Sequence, residues 1–373
     1  MFEVLFYTGN LFSTGFSIFF MKQQQAIFYK FLKAVLRISL AAAIIGSLVW
    51  LRKDQLRDCL QEFNCSWGIP ALICVLFHTM VCSWRWRRLA QLQGFSLSEL
   101  EAYSLTMQGY FFSLVIPGGA IGGDVAKMGL LARRSQPGSR AEGIFTVFMD
   151  RVIGMIALFA LCIILVWTFA VNRRMLQIGR IELDSAGICL GAAVISAICL
   201  AGIICGIAIF FHRALRKIPG VDPLLNWIDR RCGNLASRMT AMADQYAKYP
   251  AELIKLTLAS IAGVHIMCIL PTLFMLAGAG VELSSSIVLL ILTAVCLGNI
   301  AGLIPITPGG IGMRDLTVIT LLHAGGITSG TGETAQLLTT GITIFINLLG
   351  GLFLIFDSAV SKSAPKQESG NHE

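Results

Sequence analysis

Charged side chains are scarce in this 373-residue chain: Asp, Glu, Lys and Arg together make up 13% of it, against 55% for the apolar types. A soluble globular domain carries about 25% charged residues, so too little charge is present to wet a globular surface. A soluble enzyme and a disordered protein are both excluded. Nucleotide and metal motifs are missing too: there is no GxxxxGK[ST] loop for ATP and no HExxH zinc helix. No cofactor is called for, and ATP-driven transport by this chain alone is not expected. The 11 cysteines form no disulfide framework, because most of them (Cys74, Cys82, Cys162, Cys199, Cys205, Cys268 and Cys296 among them) fall inside apolar runs and act as small hydrophobes. Cys59 and Cys65 share one short loop, where a disulfide and two free thiols are both open readings.

What is present is a succession of apolar blocks of about 20 residues, the length a helix needs to cross a hydrocarbon core of about 30 Å. The expected fold is all-α: a polytopic membrane protein of about 7–8 transmembrane helices plus one or two re-entrant hairpins, arranged as a pseudo-repeat of two halves. Spans are predicted at about Ala34 to Leu51, Trp67 to Trp84, Val152 to Val171, Gly187 to Phe211, Leu256 to Ala277, Ile287 to Ile304 and Leu337 to Phe356. Residues 1–30 are read as an N-terminal extension or interfacial segment. Residues 1–20 hold Glu3 and lack the basic start of a secretory signal, so Met21, followed by Lys22, Lys30 and Lys33, is the more natural beginning. Residues 31–360 form one transmembrane domain, in which 212–252 is an amphipathic loop, and 361–373 is a disordered tail.

The net charge of +8 does not point to nucleic acid, since Lys and Arg sit in short clusters at helix ends, where they anchor a bundle and set its orientation. Three such clusters are expected in the cytoplasm: Arg85, Arg87 and Arg88; Lys127, Arg133, Arg134 and Arg140; and the loop from Arg213 to Lys255. Trp84 and Trp86 beside the first cluster read as an interfacial anchor. The apolar stretch Tyr103 to Gly123 lies between two of these clusters, so it cannot cross an odd number of times. A re-entrant hairpin is predicted there, and non-helical backbone at membrane depth implies a cavity.

The glycines of that hairpin have a counterpart. Pro117-Gly118-Gly119 has Asp124 seven residues after its proline, and Pro308-Gly309-Gly310 has Asp315 seven residues after its own. Paired Gly/Pro interruptions in corresponding places of two halves point to a transporter's binding site. Helices that restart after such turns offer free N–H groups to a phosphate. Ordinary loops at membrane ends would show the same residues. Charge inside the apolar runs favours the first reading: Asp150-Arg151 opens a span, and adjacent helical residues do not face each other, so each is expected to find its partner elsewhere. With Asp124, Lys127, Arg314 and Asp315 they make a balanced set of acids and bases that could close into one network. Gly122, Gly123 and Gly312 complete the candidate substrate-binding residues. A helix start marked by Asp150 would be the plainer reading. His78 and His265, within spans, are expected to donate to neighbouring helices. Gly330 to Ala335 fits a loose GxGxxA without a βαβ context and is expected to be a flexible loop.

Three blocks, Pro117-Gly118-Gly119-Ala120-Ile121-Gly122-Gly123-Asp124, Val147 to Gly154, and Pro305-Ile306-Thr307-Pro308-Gly309-Gly310-Ile311-Gly312-Met313-Arg314-Asp315, resemble the lysylphosphatidylglycerol synthase transmembrane family, a flippase-like group of bacterial and archaeal membrane proteins. The family usually has Glu where this chain has Asp315, and often Arg near Lys127; both departures keep the charge. Some relatives carry a fused aminoacyl-transfer or glycosyltransferase domain; this sequence is expected to act without one, so the synthase activity in the family name is not carried over. The resemblance implies a lipid flippase or transporter in the inner membrane. Its substrate would be an anionic or aminoacylated phospholipid, a hopanoid-type lipid or a polyprenyl-phosphate-linked lipid, and its partner a cytoplasmic or membrane-bound synthase or glycosyltransferase. In this reading Lys127, Arg151 and Arg314 attract the phosphate in a cleft open to the cytoplasm, and Asp124, Asp150 and Asp315 hold the bases apart. An integral-membrane transferase using Asp124 or Asp150 as base or Mg²⁺ ligand is the alternative. A membrane partner that recruits a synthase through its basic loop is a third reading. Oligomerisation is compatible with all of them.

Overall fold

The computed structural model describes residues 61, 63–116, 120–134, 139–172, 175–178, 181–210, 223, 227, 230–231, 235–304 and 312–363. The predicted span Ala34 to Leu51, the N-terminal extension, Cys59, Pro117 to Gly119, Pro308 to Gly310 and the tail beyond Ser363 lie outside the described residues. The architecture is all-α. Five helices are long and apolar enough to cross a membrane. They are α1 (Gly68–Leu92), entered through a single helical turn at Cys65–Trp67; α4 (Arg140–Asn172); α5 (Ser185–Ala208); α7 (Pro250–Gly278); and α10 (Ser329–Ser363). Between them run α2 (Glu99–Val115), α3 (Ala120–Arg134), α6 (Leu235–Ala247), α8 (Ser285–Ala301) and α9 (Met313–Ala324). A β-hairpin, β1 (Met175–Ile178) with β2 (Ile181–Asp184), is paired antiparallel with Leu176 opposite Leu183.

Local sequence explains the boundaries. Ser98 caps α2 in a reciprocal box with Glu101. Asp184 accepts from the Gly187 N–H and starts α5. The bundle is apolar outside as well as inside: Ile164, Leu190, Ile198, Ile204 and Leu348 are exposed, as expected for a surface that faces lipid. The main core joins α4, α5, α7 and α8 through Cys162, Val166, Phe169, Cys199, Ile269, Leu276 and Ile291.

Two expectations are corrected, at Gly330 to Ala335 and at the start of α4. The segment Gly330 to Ala335 is the start of α10 rather than a flexible loop, because Ala335 and Gln336 are buried and draw the turn into the bundle. α4 begins three turns before Val152, at Arg140. The stretch after Asn172 is a hairpin whose Leu176 packs into the core. Part of the amphipathic loop is α6, which seats Met242, Ala243 and Tyr246 against α1 and α4. The Tyr246 hydroxyl donates to the Leu89 carbonyl at 3.0 Å. Burial raises the pKa of this phenol, so it remains a donor throughout the physiological range.

The short helices form two antiparallel pairs. α2 and α3 cross where Gly109 meets Gly123; a Cβ on Gly123 would strike the Gly109 carbonyl. α8 and α9 meet in the same way at Gly298, where a Cβ would lie 2.5 Å from Val318. At 1.5 Å per residue α2 spans about 25 Å and α9 about 18 Å, short of a full crossing. The two pairs enter from opposite ends. Glu99, at the start of α2, bonds Arg87, and Arg238 and Arg88 reach Glu142 and Glu252, so the basic clusters share one end of the bundle. Gly325, just past α9, lies instead against Leu290 at the start of α8, the end that carries the β-hairpin. α10 then runs antiparallel to α2, with Gly350 against Met107 and Tyr103 edge-on to Phe353, which returns the chain to the basic end.

Candidate functional site

α4 places Asp150 and Arg151 on different sides of one turn, and each finds a partner on another helix. Arg151 makes a two-point ion pair with Asp124 at the start of α3, with both N–O distances 2.6 Å. Asp150 accepts from Arg85 of α1 at 2.7 Å, and Arg85 also donates to Ser260 of α7 at 3.0 Å. The closed network of six expected from sequence therefore does not form: Asp150 takes a partner from outside the set. Arg85 and Trp86 are not interfacial anchors either. Arg85 is 5% exposed and Trp86 fully buried, because an α-helix that ends its apolar run at Trp84 continues for two more turns into the bundle. Trp86 donates to Thr146 at 3.1 Å, and the Lys127 ammonium lies 3.6 Å from the centre of its ring while donating to Thr106. Lys127 is thus held by an aromatic face and a hydroxyl.

The second motif is built differently. Gly312, at φ 100°, turns the backbone into α9, and its N–H donates to Asp315. Asp315 is buried and accepts from Gln336 at 2.8 Å and Thr340 at 2.9 Å of α10. Arg314 donates to Asp315 at 3.2 Å and to Thr340 at 2.9 Å. Adjacent positions can pair here because the first turn of the helix lets both side chains bend toward α10.

The two motifs converge on one cavity of about 190 Å³, bordered by His78, Tyr110, Ala120, Arg151, Arg314 and Asn347. A smaller hollow continues from it past His78 and Arg314 to Thr272 and Gln336. Of the bases singled out in the sequence, Arg151 and Arg314 line the cavity; Lys127 does not. Asp124 and Asp315 sit behind these arginines, Asp150 belongs to the α1 ion pair, and Gly122 and Gly123 hold α3 against Ile116 and α2. Pro117, Gly118, Gly119, Pro308, Gly309 and Gly310 lie outside the described residues. His78 and His265 do bond to neighbouring helices: His78 Nδ1 donates to the Val264 carbonyl at 3.0 Å and His265 Nε2 to the Gly154 carbonyl at 2.9 Å. Both bonds fasten Ile261–Ile266, a π-helical turn in α7. Such turns loosen the i→i−4 ladder and often mark functional sites.

A family model described as lysylphosphatidylglycerol synthase TM region matches residues 35–351. The chain belongs to this family. It is accordingly an integral membrane protein of a lipid-related group, as the five apolar helices require. No curated protein matches the chain. In this member of the lysylphosphatidylglycerol synthase TM region family, motif reasoning misses the cavity's neutral wall, Thr340, Thr343 and Asn347 on α10. Their signal is nonetheless present, since Gln336, Thr339, Thr340, Thr343 and Asn347 form a polar stripe at helical spacing within an apolar span. Arg85 gives no such signal, because only packing separates it from Arg87 and Arg88.

Proposed function

We propose that this protein moves an anionic membrane lipid between the leaflets of the inner (plasma) membrane, with the head group passing through the central cavity and the acyl chains remaining in lipid. The observation that carries this reading is that Arg151, paired with Asp124 of the first motif, and Arg314 of the second face the same cavity, each with a carboxylate behind it. Guanidinium groups bind phosphate through two parallel N–H donors, and both can turn from their carboxylates to a phosphate. The substrate class is an anionic or aminoacylated phospholipid, a hopanoid-type lipid or a polyprenyl-phosphate-linked lipid, delivered by a separate synthase or glycosyltransferase.

The two short-helix pairs serve as re-entrant hairpins, one from the basic, cytoplasmic end and one from the opposite end. An inverted pair, in place of two cytoplasmic hairpins, is the arrangement through which one site can face the two sides in turn. A head-group transferase is the less favoured reading. Asp124 and Asp150 each face an arginine rather than one another, and among the described residues no three acidic, His or Cys side chains come together as metal ligands.

The test is reconstitution of the full chain into phosphatidylethanolamine vesicles carrying fluorescent phosphatidylglycerol, with dithionite bleaching of the outer leaflet. Wild type should expose inner-leaflet probe, and Arg151→Gln and Arg314→Gln should each fall to the rate of protein-free vesicles. Full activity in both variants overturns the site assignment.

A further inference from the structure

We propose that His78 is the binding site for a proton that crosses with each anionic lipid, so that transport is electroneutral and driven by a pH gradient; this inference rests on the transport reading above. His78 lies midway along α1 and borders both hollows of the central cavity, alongside Arg314 in each and Arg151 in the larger. Its Nδ1 is 3.0 Å from the Val264 carbonyl. A carbonyl only accepts, so Nδ1 carries the hydrogen and Nε2 is left with its lone pair. The contact at Nε2 is the Cys82 thiol at 3.8 Å, a weak partner that leaves this nitrogen able to take a proton. His265 differs: its Nε2 is committed to the Gly154 carbonyl, and it borders none of the cavities described.

The charges around His78 set when that proton binds. Cys82 faces it from its own helix, Tyr110 from α2 with its ring stacked at 6.5 Å, Cys268 from α7, Arg151 from α4 and Arg314 from α9. α10 contributes neutral polar side chains, Gln336, Thr339, Thr340, Thr343 and Asn347. Among the described residues no carboxylate lines the cavity; Asp124 and Asp315 stand behind their arginines. In the empty cavity each guanidinium is balanced by its carboxylate, so a proton on His78 would be an uncompensated charge. A phosphate monoanion drawn between the arginines brings one negative charge, which a protonated His78 balances. The coupling is reciprocal, as binding linkage requires: the proton tightens the site for the lipid by the factor that the lipid tightens it for the proton. Lipid and proton together carry no net charge through the low-dielectric core, where a lone charge is costly.

The experiment uses the full chain in vesicles of phosphatidylethanolamine and phosphatidylglycerol, with fluorescent phosphatidylglycerol as probe, pyranine trapped inside, and the membrane potential clamped by potassium and valinomycin. At one proton per lipid, a gradient of one pH unit supports up to about a tenfold ratio of probe between leaflets, because a tenfold ratio is the same free energy as one pH unit. Wild type should approach that ratio while pyranine reports proton movement in step. His78→Gln keeps an N–H for the Val264 carbonyl but takes no proton, and its ratio should stay at about one however long it is incubated. Three results would count against the inference. A wild type that equilibrates the probe to a ratio of one with no pyranine response overturns it while leaving the transport reading intact. A His78→Gln variant that builds the wild-type ratio does the same. A wild type that moves no probe under any gradient overturns the transport reading and this inference with it. The wild-type measurement decides even where His78→Gln does not fold.

Discussion

Arg151 and Asp124 stand 27 residues apart in the chain yet meet through two contacts of 2.6 Å, tying the helix after the first glycine motif to the long helix α4 three turns past its start. The aspartate side chain is mostly buried and the arginine side chain 45% exposed. This asymmetry makes the arginine the mobile member of the pair. The buried partner supplies a fixed negative charge, and the exposed one can leave it for a competing anion.

That asymmetry separates function from stability. Only the arginine side of this pair is open, so Arg151→Gln should cost the detergent-solubilised protein less than breaking the sequestered pair at Arg85, about 1–3 kcal/mol for the Asp124 carboxylate it leaves without its donor. It should nevertheless abolish lipid movement. A large fall in melting temperature in this variant would show the pair to be structural.

The pair Arg85–Asp150 should behave in the opposite way. Both side chains are nearly sequestered, and removing one member of a buried pair leaves an uncompensated charge, at a cost of about 3–5 kcal/mol. Asp150→Asn and Arg85→Gln are expected to lower folding yield and melting temperature severely. In the double variant Arg85→Gln with Asp150→Asn the two losses should fall well short of adding. A thermodynamic cycle read by thermal unfolding checks this, and additive losses would show that the two side chains are not coupled.

Helix spacing at the first motif depends on a missing side chain. Gly123→Ala directs a methyl group at the Gly109 carbonyl, backbone that cannot rotate away, so α3 must shift outward at a cost of about 1–3 kcal/mol. Gly129, on the same helix, has open space where its Cβ would stand. Gly129→Ala should be neutral or stabilising by about 0.4–1 kcal/mol. Comparing the two melting temperatures tests the close approach, and equal effects would refute it.

Water access to the cavity is open to a chemical test. In a cysteine-free background, single thiols at Ala120 and Thr343, which line the cavity, should react with a membrane-impermeant maleimide and be slowed severalfold by a short-chain phosphatidylglycerol. A thiol at Ile164, exposed on the apolar exterior, should stay unlabelled. Labelling at Thr343 that the lipid does not slow would place the head group elsewhere.

Composition and hydropathy determine the class of this protein without help from coordinates. Runs of about 20 apolar residues have few other ways to satisfy their backbone than as membrane helices, and the spans from Trp67, Gly187 and Leu256 fall on α1, α5 and α7. The repeated Pro-Gly-Gly spacing likewise marks both places where short helices pair, because proline and glycine act locally on the backbone. Charge partners are another matter. Asp124, Asp150, Arg151, Arg314 and Asp315 can be recognised as costly and therefore engaged, but pairing is a property of distance in space. Only the tertiary structure assigns Arg85 to Asp150, turns Lys127 away under Trp86 and leaves Arg151 and Arg314 facing one cavity. It also decides that the two short-helix pairs start from opposite ends of the bundle, since hydropathy counts residues in a span and carries no record of which helix ends lie side by side.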